Sequence, residues 1–344
     1  MKKNWKQRRE GGSRFTLWLI RSIGRYGGRG IARLCLYPIT AYYLLRRGDE
    51  RRDSRAYLDR ALGHPASLLD VTRHIHTFAS TIMDRVFLLS EDTRRFNVEI
   101  RGVDKVHAQL DQGRGALLFG SHLGSFEVLR VLARQRPEYT IRVVLDKAHN
   151  PAMTQLLDDL NPEIASTVID ASQDGPSVML AIKEAADQGA LIALLVDRTQ
   201  PGHPAVAADF FGQPALFPST PWLIASVLKV PVCLAFGLYH GGNRYSLEFE
   251  AFSDGINIPR QQRATEIRAL IQRYAARLEH YARKAPYNWF NFYDFWSRDS
   301  EVSTGSANYD ASTVSAIAVE PRDVDEPAGN QRDAARQRSG HSRP

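Results

Sequence analysis

Cysteine is nearly absent from this chain, with only Cys35 and Cys233 in 344 residues. Two cysteines make no disulfide framework, and no Cys/His cluster has zinc-ligand spacing. Cys35 falls in an N-terminal apolar segment and Cys233 in a predicted buried strand, so both read as small hydrophobes and the domain is expected on a reducing, cytoplasmic side. Long hydrophobic runs are also scarce. The apolar stretch Ile31 to Leu45 offers roughly 15 residues, interrupted by Arg33 and Pro38, short of the ~20 that span a bilayer. No small-residue cleavage site points to a removable signal peptide. Three enzyme signatures are missing where they would be needed. Gly120-Ser-His-Leu-Gly124 puts histidine where a nucleophile elbow requires serine, which weighs against a serine hydrolase. The same region has neither G-x-G-x-x-G spacing nor a metal-binding D-x-D, which weighs against nucleotide-dependent or glycosyl-transferring chemistry. No zinc finger, helix-turn-helix or aromatic RNA-binding signature is present, so no nucleic-acid partner is expected.

Acidic residues are scarce at the N-terminus. Residues 1 to 33 hold ten basic side chains against Glu10 alone, a local excess of +9 that exceeds the +7 of the whole chain. Arg21, Arg25, Arg29 and Arg33 recur every four residues and form a drifting helical stripe, with Leu17, Trp18, Ile20, Ile23 and Ile31 on the remaining surface. Such a pattern suits a headgroup boundary, where each basic residue near anionic lipid contributes on the order of 1 kcal/mol. Gly24, Gly27, Gly28 and Gly30 weaken a continuous helix, so attachment to the membrane is expected rather than a span. The alternative is a basic solvated arm.

Apolar residues make up 43% of the chain, enough for a sizeable core. Strand-length apolar runs fall at 116–119, 141–145, 166–169, 190–196 and 230–237, and 244–250 alternates like an edge strand. Helix-spaced stretches fall at 66–89, 125–135, 151–160, 176–188, 217–228 and 261–284. The expected fold class is therefore α/β, a mixed sheet covered by helices. Three segments are expected: a basic, apolar membrane-association segment (1–48), an α/β catalytic domain (49–299), and a polar tail (300–344) whose composition predicts disorder.

The most informative stretch is Ala116-Leu-Leu-Phe-Gly-Ser-His-Leu-Gly-Ser-Phe-Glu127, where an apolar strand delivers His122 into a Gly/Ser turn and Glu127 follows five residues later. An imidazole titrates near neutrality, and a carboxylate that fixes its tautomer makes it a competent base toward a hydroxyl. Strand ends are where α/β sheets usually bind ligands. The two side chains can meet only if His122 precedes the helix, a placement that Gly120 and Gly124 permit. The bland reading is a strand-end histidine on backbone and a surface glutamate.

Further along come Val196-Asp-Arg-Thr-Gln200, Asp209-Phe-Phe-Gly212, Leu216-Phe-Pro-Ser-Thr-Pro221 and Lys229-Val-Pro-Val-Cys-Leu-Ala235. In that order, over roughly residues 15 to 298, the chain resembles the lysophospholipid acyltransferase superfamily, in particular its bacterial branch of lipid A late acyltransferases. The ending Asn288-Trp-Phe-Asn-Phe-Tyr-Asp-Phe-Trp296 looks closer to a relative found with aryl polyene and other lipid-conjugate pathways. The resemblance implies a glycerol-3-phosphate acyltransferase-like fold at the cytoplasmic face of the inner membrane. It also implies transfer of a fatty acyl group from an acyl thioester, on acyl carrier protein or coenzyme A, to a hydroxyl of a lipid or glycolipid. No bound cofactor is expected; the thioester is a co-substrate, and acyl carrier protein and membrane lipids are the expected partners.

His122 and Glu127 are the expected base and its orienting acid, acting without an acyl-enzyme. Arg198 is a candidate cation for the oxyanion or a substrate phosphate, with Asp197 orienting it; Lys147, Arg142 and Ser125 are further candidates for meeting the substrate. For Asp197 and Arg198 the plain alternative is a structural ion pair. Phe210, Phe211, Phe217 and Trp222 could line an acyl channel or be ordinary core. The Trp289 to Trp296 rings could seal the site or touch the bilayer. A non-catalytic membrane-associated protein of the same fold is the rival to an enzyme.

Overall fold

The computed structural model describes residues 14–89, 93–111, 113–129, 131, 138–199 and 202–296, with the backbone alone for 14–27. The tail expected over 300–344 and the side chains of Arg21 and Arg25 lie outside the described residues.

Three helices come first: α1 (Arg14–Arg46), α2 (Gly48–Leu62) and α3 (Leu68–Leu89). The α/β part follows as β1 (Asn97–Arg101), α4 (Asp104–Leu110), β2 (Ala116–Gly120), β3 (Ile141–Leu145), α5 (Pro151–Leu160), α6 (Pro162–Thr167), β4 (Ile169–Asp170), α7 (Gly175–Asp187) and β5 (Leu191–Leu195). A hairpin β6 (Ala205–Phe210) and β7 (Gln213–Pro218) leads to α8 (Thr220–Leu228), β8 (Val232–Tyr239), β9 (Arg244–Ser253) and α9 (Arg263–Lys284).

Seven strands form one sheet in the order β1-β9-β8-β2-β5-β3-β4, parallel throughout except for the antiparallel pair β8–β9. β2 and β5 lie at its centre and are buried on both faces, which is why they read as unbroken apolar runs. Their side chains alternate between two cores. Leu117, Phe119, Ile192 and Leu194 face a core shared with α2, α8, α9 and the β6–β7 hairpin. Ala116, Leu118, Leu191 and Ala193 face one shared with α1, α3 and α4. The mixed α/β sheet covered by helices is thus as expected, with two local corrections. β9 is interior, between β8 and β1, and not an edge strand; the run at 166–169 is the end of helix α6 followed by a two-residue strand.

The N-terminal helix departs from the expected arginine stripe. Helix α1 breaks at Gly28, whose φ of 70° is left-handed. Beyond the break, Arg29 turns inward and makes a two-pronged ion pair with the buried Asp84 of α3, at 2.7 and 2.8 Å. Tyr245 donates to the same carboxylate at 2.9 Å. Arg33 reaches Gly242 O and Tyr239 Oη, both at 2.8 Å. These two arginines bind protein, whereas the opposite face of the helix exposes Ile31, Leu34, Tyr37, Tyr42 and Leu45; Leu68 and Leu69 at the start of α3 are exposed as well. Among the described residues no helix is long and apolar enough to cross a membrane.

Candidate active site

The parallel register of the two central strands builds the site. Gly120, the last residue of β2, pairs with Leu195, the last of β5, and Val196 N–H donates to Gly120 O at 3.1 Å. Two residues further along each chain stand His122 and Asp197, side by side at the carboxyl ends of adjacent strands. His122 Nδ1 lies 2.8 Å from Asp197 Oδ1, and the His122 backbone N–H donates to Oδ2 at 3.1 Å. Asp197 is fully buried, while the His122 side chain keeps 34% of its surface exposed in an otherwise densely packed setting.

Both groups titrate below their ordinary values. Desolvation and the positive charge of Arg198 push His122 down, against the pull of Asp197. Burial opposes the charge of Asp197, but His122, its hydrogen bonds and Arg198 outweigh it and hold the carboxyl low. At neutral pH the pair is therefore carboxylate and neutral imidazole. Because the carboxylate accepts at Nδ1, the ring proton sits there and the Nε2 lone pair is available as a base.

Glu127 does not hold the imidazole, contrary to the expectation from spacing. It lies in the middle of the short 3-10 turn Phe126–Val128, and its oxygens are taken by Arg85 of α3, 2.6 Å away, and by the Ser125 hydroxyl, which donates at 2.9 Å. Ser125 is itself buried, so it braces Glu127 instead of facing a ligand. Arg85 is a site residue that sequence reasoning missed, since nothing in its helix marks it apart from other surface arginines. Arg85 and Arg198 both act electrostatically on His122, so the structure does bring Arg198 to the base. Arg198 Nη2 donates to Phe290 O at 2.6 Å, its guanidinium lies 5.6 Å from the centre of the Tyr293 ring, and its buried Nε has no hydrogen-bond partner among the described residues. Asp197 thus orients the histidine and not, as expected, the arginine. Lys147 stands two residues beyond β3, the parallel neighbour of β5, and its backbone N–H donates to Asp170 Oδ1 at 3.2 Å, a carboxyl that, against burial, hydrogen bonds from Ser172 and Lys147 hold low.

The turn carrying His122 is fixed from two sides. Gly124 has a φ of 74° and forms a bridge to Gly237 of β8; a Cβ at Gly124 would stand 1.9 Å from Gly237 O. The segment after α9 crosses in front, with Gly124 N–H donating to Asn288 O at 2.8 Å and Phe290 N–H to His122 O at 2.9 Å. Buried His74 of α3 anchors this segment: its Nε2 bonds Trp289 O at 2.9 Å, its Nδ1 meets Ser54 Oγ at 2.8 Å, and burial pushes it down to about 4. The aromatic C-terminal cluster therefore packs on the site. Phe210, Phe211, Phe217 and Trp222 are core, each at most 8% exposed and in ring contact with one another or with Trp289, Tyr274 and Trp296.

A histidine base held by a carboxylate at a sheet's carboxyl edge suits proton removal from a hydroxyl. Residues 25–298, most of the chain and all of this site, match the family of bacterial lipid A biosynthesis acyltransferases. The chain belongs to that family. No curated protein matches the chain. Membership in the lipid A acyltransferase family supports acyl transfer involving a lipid, and the family match spans both strands that deliver His122 and Asp197. Among the described residues no cluster of three or more His, Cys, Asp or Glu could hold a metal ion.

Proposed function

We propose that this acyltransferase moves a fatty acyl group from a thioester, carried by acyl carrier protein or coenzyme A, to a hydroxyl of a lipid or glycolipid acceptor. The observation that carries the reading is the 2.8 Å contact between His122 Nδ1 and the buried carboxylate of Asp197. As the acceptor oxygen attacks the thioester carbon, its proton passes to His122 Nε2, and Asp197 stabilises the imidazolium. The tetrahedral oxyanion faces Arg198 or backbone amides of the 122–126 turn. Collapse breaks the C–S bond, and the leaving thiolate takes the proton back from the imidazolium, which yields ester and thiol with no acyl-enzyme. Glu127 acts at one remove, by holding Arg85 near the base.

Attachment to the cytoplasmic face of the inner membrane fits the uncharged exposed face of α1 over residues 31–45, and the basic residues 1 to 27 that precede this face suit anionic headgroups. An acidic carrier protein as donor would be drawn to the same basic end.

The test is mass-spectrometric lipid profiling of cells expressing wild type, His122→Ala, Asp197→Asn or Glu127→Gln at matched protein levels. A species one acyl chain heavier is expected with wild type. Its formation should fall by roughly 10²-fold or more with His122→Ala and Asp197→Asn, and less with Glu127→Gln. A folded His122→Ala protein with near-normal transfer would refute the mechanism, and no new species with any form of the protein would favour a non-catalytic role.

A further inference from the structure

Asp197 has a third hydrogen-bond donor that the acyl-transfer step does not use. Besides the two donors of His122, the Trp289 indole Nε1–H donates to Asp197 Oδ2 at 3.2 Å, and both side chains are fully buried. An indole N–H points one way, cannot accept and does not titrate. This one cannot swing aside. The ring is wedged between Tyr57, Phe210 and Phe295, with centroids 4.9, 5.1 and 4.8 Å away, and the Trp289 backbone is pinned by its bridge to Leu123 and by His74 on its carbonyl. Oδ2 is thus held by two N–H groups while Oδ1 is left to the imidazole.

We propose that Trp289 is a positioning residue: it fixes the rotation of the Asp197 carboxylate so that Oδ1 faces His122, and it draws off part of the carboxylate charge, thereby setting how firmly His122 holds a proton. The inference rests on the reading of His122 and Asp197 as base and orienting acid. The other groups facing the pair are the guanidinium groups of Arg85 from α3 and Arg198 after β5, Glu127 on Arg85, and the phenols of Tyr274 and Tyr293, which burial pushes up. His74, behind Trp289, is pushed down to about 4. Loss of the indole N–H leaves the carboxylate more basic, strengthens its pull on the Nδ1 proton and favours the imidazolium, so the His122 pKa rises.

The experiment follows the His122 Cε1–H resonance against pH in the full chain in detergent micelles, assigned by its absence in His122→Ala. Trp289→Phe keeps an aromatic ring, and Trp289→benzothienylalanine keeps the bicyclic shape with sulfur in place of N–H, which covers the case in which phenylalanine leaves too large a hole. Both are expected to raise the His122 pKa by about half a unit to one unit and to cut transfer roughly tenfold. Asp197→Asn, the reference, is expected to lower it. If Asp197→Asn lowers the titration and neither Trp289 replacement raises it, Trp289 only packs and the proposal is overturned while the base and its acid stand. If Asp197→Asn leaves the titration in place, the reading beneath the proposal fails as well.

Discussion

Gly124 shows how a single missing Cβ holds the base in position. Two costs fall on any side chain there: the left-handed φ of 74°, and a backbone carbonyl at 1.9 Å that cannot move without displacing β8. Gly63, which ends α2 with a φ of 73° and open space around it, carries only the first. Gly63→Ala should therefore cost about 1 kcal/mol, whereas Gly124→Ala should cost roughly 3 kcal/mol or more and abolish transfer, as read by urea denaturation and acyl-transfer assay. Similar losses at both positions would mean that the His122 turn tolerates displacement. His122 and its turn were legible in the sequence because an apolar strand running into Gly-Ser-His-x-Gly is a local pattern. Its partner was not. Asp197 lies seventy-five residues away and meets His122 only through the register of two parallel strands, while the nearby Glu127 is drawn off by Arg85 from a helix before the sheet.

At the level of elements, periodicity served where an element is buried on one stripe or on both faces. Strands β2, β3, β5 and β8 and helices α3, α5, α7 and α9 lie within a few residues of their expected bounds. It failed where local chemistry is polar or mixed: α2 is rich in Arg and Asp, β1 alternates between exposed and half-buried positions, and the β6–β7 hairpin turns on Phe211 and Gly212, both at positive φ, a combination that propensity does not favour. Helix α1 illustrates a reversal of expected roles. Arg29, spaced for lipid, is spent on the protein, because a carboxylate buried toward the C-terminal end of α3 needs a permanent cation. Arg29→Ala leaves Asp84 buried with only the Tyr245 hydroxyl and should destabilise the protein by about 3–5 kcal/mol, while Arg29→Met with Asp84→Leu should recover most of that loss. Thermal melts of the single and double variants check this; equal destabilisation in both would show that packing, not the charge, holds α1.

For the whole molecule, the consequence is that the outer face of α1 over residues 31–45 is apolar by construction. Ala32 and Leu36 of α1 are buried in the same core as β2 and β5, so residues 29–46 are part of the catalytic fold and not a detachable anchor. Deleting them to test membrane attachment would remove core and confuse unfolding with release. Substitutions on the outer face avoid this, since Leu34 is 68% and Leu45 81% exposed and neither supports the core. If that face rests in the headgroup boundary, each leucine contributes roughly 2 kcal/mol, and Leu34→Glu with Leu45→Glu should weaken partition into anionic vesicles on the order of a thousandfold without lowering the melting temperature in detergent. Vesicle flotation of the double variant decides the matter: release from the bilayer places the membrane against the outer face of α1, whereas unchanged flotation would assign attachment to the basic residues 1 to 27 alone and leave the orientation of the sheet edge, with His122 at its end, free relative to the bilayer.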